Sequence, residues 1–175
     1  MSWIIYLVLM ALSVYICYNF AVLGLFGIPH SLSQTYYEFK SRKSWQRILF
    51  PIMMIGVGIS LLPAWLEISE GSNFMFMAFL ASAGILFTGA APSFNESDIE
   101  NKVHNGSAFF SATFALLWIV FVAKLWWFII VWGIMILFVS ILTNTLKSCL
   151  TYWLETVAIM STFSAIIAYF VLRWN

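Results

Sequence analysis

At 175 residues, 63% of them hydrophobic, 19% aromatic and only 9% charged, the chain carries too few charges to keep a soluble domain's surface wet. It reads as an all-α polytopic membrane protein, a single bundle over 1–175 with no room for a separate soluble catalytic module. A net charge of +1 excludes nucleic acid as a partner, because eight basic residues cannot neutralise the phosphates that such binding needs.

A helix needs about 20 apolar residues to cross the hydrocarbon core, and charges punctuate the spans because each is costly at mid-membrane. The first apolar run, 3–28, has neither a basic n-region nor a small-residue cleavage site, so it is expected to stay as a spanning helix. Asn19 is its one strongly polar side chain and offers either an interhelical hydrogen bond or a ligand contact. After Pro29 and His30, Ser31 and Gln34 have capping-box spacing and open a short amphipathic cytoplasmic helix over 31–44. Leu32, Tyr36, Phe39 and Lys43 share one face there, and Tyr36, Tyr37, Lys40, Arg42, Lys43 and Arg47 suit an interface with anionic lipid. The same basic residues also serve as ordinary topology anchors.

The next span, 48–66, carries Pro51 and Pro63 near its ends and a small face at Gly56 and Ser60. The third, 74–91, is small on nearly every side, from Ala78 through Ala81, Ser82 and Gly84 to Gly89, and is expected to be the central helix. A polar connection follows in which Ser97 and Glu100 again have capping-box spacing. Spans at 107–123 and 125–142 are separated only by Lys124, which predicts a tight hairpin, and the sixth span runs over 153–172. Cys17 lies in a span and Cys149 in a connection, so both are read as free thiols.

Six spans place both termini on one side. Lys40, Arg42, Lys43, Arg47, Lys102 and Lys147 fall in odd-numbered connections, against Lys124 and Arg173 opposite, which puts the odd connections in the cytoplasm and both termini outside. Trp3, Trp45, Trp65, Trp126, Trp127, Trp153 and Trp174 lie near span ends, as an interfacial aromatic belt would have them. The expected location is a bacterial inner membrane.

The residues able to do chemistry converge on the cytoplasmic connections. Glu100, His104, Ser107 and Ser111 fall on one stripe of the fourth span, and a carboxylate four residues before a histidine suits a metal-ligand pair, an acid/base pair or a plain ion pair. Asp98 and Lys102 repeat the ion-pair spacing. His30 is the only other histidine, and His30, His104, Asp98 and Glu100 together would suffice for a divalent metal.

The stretch Gly89-Ala90-Ala91-Pro92, followed by His104-Asn105-Gly106-Ser107-Ala108-Phe109-Phe110, resembles the six-helix DRAM-like families and bacterial membrane proteins of unknown function. That resemblance covers about 22 residues and makes Pro92 and His104 the family-type positions, without implying an activity or a cofactor. Function is therefore expected in this order. A non-catalytic organiser, regulator or effector binding membrane lipid, a protein partner or a second copy of itself comes first. An inner-leaflet lipid-modifying enzyme using His104, Glu100 and His30 comes second, and an oligomeric channel or carrier third.

Overall fold

Gly27 ends the first helix, α1 (Trp3–Phe26), by entering the left-handed region at φ 77°, with its N–H on the Leu23 carbonyl at 3.1 Å. The computed structural model describes residues 3–174, without the side chains of 44, 173 and 174. The Ser31 hydroxyl accepts the Gln34 N–H at 3.1 Å, so one arm of the expected capping box forms and leads into α2 (Thr35–Arg42). A 3-10 turn (Ser44–Ile48) feeds α3 (Leu49–Ile68), in whose first turn Pro51 removes no intrahelical bond. Then come α4 (Phe76–Ala90), α5 (Asp98–Trp118), α6 (Trp127–Leu142) and α7 (Leu150–Trp174). The α5 helix starts at Asp98 rather than at 107, because Asp98 and Glu100 suit the positive end of a helix and carry it outward beyond its apolar part. Ser97 makes no side-chain cap.

By length and composition, Trp3–Phe26, Trp45–Ile68, Asp98–Ala123 and Leu150–Leu172 can cross a membrane. The apolar helices α4 and α6 are shorter, at 15 and 16 residues. An outer surface carrying exposed Phe20, Ile59, Phe109, Ile134 and Phe138 agrees with a membrane protein.

Helix order follows from close approach of small residues. α4 lies between α3 and α5, while α1 packs on α3 and α7 packs on α1, α3, α5 and α6. A Cβ on Gly84 would sit 2.7 Å from the Ser107 carbonyl oxygen, and Ser111 Oγ donates to the Ala81 carbonyl at 3.0 Å, so the small face of α4 is spent on α5. The helix is not central, however. Phe76, Phe79 and Phe87 project outward from it, and α3 and α7 occupy the middle of the bundle. Nor do α5 and α6 form a packed hairpin. A π-helical turn (Ile119–Ala123) and Lys124 at φ 58° turn the chain, and α6 packs along α7.

The aromatic belt is partial. Trp3, Trp45, Trp126 and Trp127 are exposed, but Trp65 and Trp118 are fully buried, edge to face with centroids 6.3 Å apart, and Trp118 Nε1 donates to Ser69 Oγ at 2.7 Å. Trp153 is also buried, donating to Thr145 Oγ1 at 3.1 Å. Trp118 and Trp153 thus find acceptors at helix ends within the protein, whereas Trp65 Nε1 is buried with no hydrogen-bond partner among the described residues. The side chains of Arg173 and Trp174, which entered the orientation and belt arguments, lie outside the described residues.

The apolar face of α2 is also turned inward. Leu32, Tyr36 and Phe39 are buried, with Phe39 edge to face on Phe26 at 5.1 Å, so this face of α2 packs on the bundle end. The Tyr18 and Thr35 hydroxyls share a buried hydrogen bond that ties α2 to α1.

Candidate functional site

Three connections meet at the α2 end of the bundle. The α4 helix stops at Ala91 and Pro92, leaving the Ala91 carbonyl outside the helix ladder as an acceptor. His104, in the early turns of α5 and 1% exposed, places Nδ1 at 2.8 Å from that carbonyl. A carbonyl only accepts, so Nδ1 carries a proton, and in the neutral imidazole Nε2 is then the bare acceptor. Ser33 Oγ lies 2.6 Å from Nε2 and must therefore donate to it. The Phe94 ring stacks on the imidazole at 4.6 Å and Phe50 closes another side at 6.2 Å, fixing the ring's plane.

Ser33 is held by the turn that precedes α2. Next to it, the Leu32 N–H donates to Glu155 Oε2 of α7 at 2.7 Å. Both Ser33 and Glu155 line a cavity between α3, α4, α5 and α7 that encloses about 700 Å³ of atom-free space, its outward-opening part included. Its walls are mainly apolar, among them Met53, Val57, Leu61, Ile85 and Ala112. Along α3 it runs from Phe50 to Trp65, roughly 22 Å at the helical rise. Most of its other hydroxyls are spent on backbone: Thr88 Oγ1 donates to the Gly84 carbonyl at 2.8 Å, Ser111 Oγ to Ala81 at 3.0 Å and Thr162 Oγ1 to Ala158 at 2.8 Å. Polar groups facing the cavity are thus Ser33 and Glu155 at the α2 end, together with the Tyr15 hydroxyl and Trp65 Nε1, which are buried with no hydrogen-bond partner among the described residues.

The expected constellation is only partly assembled. Both His104 nitrogens are taken by Ala91 and Ser33, so Glu100 does not pair with it, and Glu100 Oε2 is buried with no hydrogen-bond partner among the described residues. His30 is exposed and serves the backbone: its Nδ1–H donates to the Ser148 carbonyl at 2.6 Å and its own carbonyl accepts the Tyr152 N–H at 3.1 Å. This docks the end of α1 on the start of α7. Asp98 is exposed on the first turn of α5. Among the described residues no three His, Cys, Asp or Glu side chains gather closely enough to hold a metal, so His30, His104, Asp98 and Glu100 do not form one centre. Asn19 makes the interhelical bond, accepting from the Tyr152 hydroxyl at 3.1 Å. Cys17 and Cys149 are free thiols, the second buried.

The expected lipid-facing residues instead latch α2 to the α4–α5 connection. Tyr36 shares a hydrogen bond with Ser93 at 3.1 Å, the Tyr37 hydroxyl accepts the Asn95 N–H at 2.7 Å, and Lys40 is ion-paired with Glu96. The hydrogen bond that Lys40 donates to Glu96 raises the Lys40 pKa, while burial raises those of Glu38 and Tyr37. Arg42 and Lys43 stay exposed and Arg47 is half-buried.

Sequence reasoning missed Ser33 and Glu155. Glu155 had a legible signal as a carboxylate inside an apolar span, which marks a functional position by default. Ser33 had none, since its partner is 71 residues away. Comparisons with protein-family profiles, with curated proteins and with solved structures find no match to this chain.

Proposed function

We propose that the protein is a six-span membrane bundle that takes a single lipid chain into the cavity between α3, α4, α5 and α7. The observation that carries this reading is the shape and chemistry of the cavity: a long, mainly apolar slot with Ser33 and Glu155 among its few polar groups. A slot of roughly 22 Å exceeds the depth of one leaflet, about half of a 30 Å hydrocarbon core. In this reading α4 and α6 complete their crossings with the apolar residues that flank them, Phe74 and Met75 before α4 and Leu125 and Trp126 before α6.

Orientation rests on charge. The contacts of Ser33 with His104, His30 with Ser148 and Tyr36 with Ser93 join the first, third and fifth connections at one end. The Trp118–Ser69 bond and the Phe74–Phe121 ring contact join the second and fourth at the other. Lys40, Arg42, Lys43, Arg47, Lys102 and Lys147 lie at the first of these ends, which is read as cytoplasmic.

The test is retention of lipid. Native mass spectrometry of the protein extracted in mild detergent should find one lipid bound, and Ala112→Phe, which places a ring in the slot, should abolish it without unfolding the bundle. Wild type that carries no lipid, or A112F that carries as much, overturns the reading.

A further inference from the structure

We propose that Ser33 and His104 form a nucleophile and general base that transfer the acyl group of a lipid ester lying in the cavity; this rests on the lipid-chain reading above. Of the Ser and Thr hydroxyls that line the slot, Ser33 is the one within hydrogen-bond distance of a nitrogen base. The separation of 2.6 Å is within the reach required of a nucleophile and its base. The base is in turn oriented by a third group, the Ala91 carbonyl 2.8 Å from Nδ1, which holds the tautomer that leaves Nε2 free to take a proton. Ser33 therefore combines three properties seldom found together in a structural serine: it is 5% exposed, it faces an apolar slot, and its proton is already directed at an imidazole.

The reaction balances with water as the only co-reactant. Ser33 Oγ attacks the ester carbonyl carbon, forming a C–O bond while its proton passes to His104 Nε2. The tetrahedral intermediate then collapses and breaks the bond to the alcohol half of the lipid. That alkoxide takes the proton from Nε2 and leaves as an alcohol. Water then attacks the acyl-serine, gives one proton to Nε2, and releases the fatty acid as that proton returns to Ser33. A second alcohol in place of water makes the same site a transferase. Phe94 and Phe50 hold the imidazole in place and exclude bulk water from it. Ser33 is the catalytic nucleophile and His104 the catalytic base, while Ala91 positions the base.

The experiment uses the full chain in nanodiscs. A long-chain alkyl fluorophosphonate should add covalently to wild type, with the modified peptide containing Ser33. p-Nitrophenyl esters of increasing chain length should be hydrolysed faster as the chain lengthens to fill the slot. Ser33→Ala, a small change at a buried site, should reduce turnover by at least about 100-fold, the lower range for loss of such a group, while keeping the helical content of wild type by circular dichroism. Ser33→Cys should regain thiol-directed acylation. Should His104→Ala fail to fold, the adduct on wild type and the S33A comparison still decide. Lipid retained by wild type with no adduct on Ser33, or turnover equal in wild type and S33A, overturns the catalytic proposal and leaves the binding reading standing. Absence of lipid from wild type, with Ser33 still labelled, overturns the binding reading instead.

Discussion

Gly84→Ala adds a single methyl group, and the structure says where it must go. The new Cβ would stand 2.7 Å from the Ser107 carbonyl oxygen, 2.7 Å from Ser111 Cβ and 2.8 Å from Ser111 N. Two of the three are backbone atoms of α5, so no side-chain rotation relieves the clash and the helices must separate. Overpacking of this kind costs about 1–3 kcal/mol. Separation also stretches the Ser111–Ala81 hydrogen bond, now 3.0 Å, which adds about 0.5–1.5 kcal/mol. Together these give about 1.5–4.5 kcal/mol, of which the better helix propensity of alanine returns about 0.5–1 kcal/mol. The control is Gly133→Ala in α6, where an added Cβ meets nothing within 4 Å and a glycine in a helix interior is replaced by the better helix former. Both variants are compared by reversible SDS unfolding in mixed micelles. G84A should shift the midpoint strongly toward lower SDS and G133A should leave it unchanged or raised. Equal midpoints for G84A and wild type would refute the claim that α4 and α5 are held by backbone-close packing.

Trp118→Phe removes the donor to Ser69 at the other end of the bundle and should cost about 1–3 kcal/mol in the same unfolding assay, since the Ser69 hydroxyl is left buried without it. Glu155→Ala deprives the Leu32 N–H of its acceptor and should destabilise by about 1–3 kcal/mol, whereas Glu155→Gln, which keeps a carbonyl there, should recover most of the loss; equal losses would show that the acceptor is immaterial. Single cysteines at the exposed positions Ser41 and Asn73, in a background lacking Cys17 and Cys149, should label from opposite faces of sealed vesicles, and labelling from one face would remove α3 as a span. The Lys40 pKa is raised by Glu96, so its contribution is complete below the ordinary lysine value and lost only as pH rises through the higher folded one. The difference in melting between wild type and Lys40→Met should thus be the same at pH 6 and pH 9, and a difference that falls between them would contradict that sign.

Hydropathy alone located every apolar helix, because an interruption by charge is a local event written in adjacent residues. The same information could not say which way a helix faces. In a membrane the outward face meets lipid and the inward face meets protein, and both are apolar, so the periodicity that reveals the core side of a soluble helix carries little direction. Trp65 and Trp3 look alike as tryptophans near helix ends, yet one is buried against Trp118 and the other is exposed. The aromatic face of α2 is as suited to lipid as to the bundle end on which it packs, and nothing local in α6 selects α7 over α5. Local spacing suggested that His104 would meet Glu100 one turn earlier. Tertiary structure turned the imidazole to Ala91 and Ser33 instead, because the orphan carbonyl at the end of α4 and the turn before α2 arrive on either side of it. What the chain determines by itself is therefore where it enters and leaves the apolar phase. Which polar groups meet inside that phase is decided only by packing, since a buried donor takes whichever acceptor the neighbouring helices bring within reach.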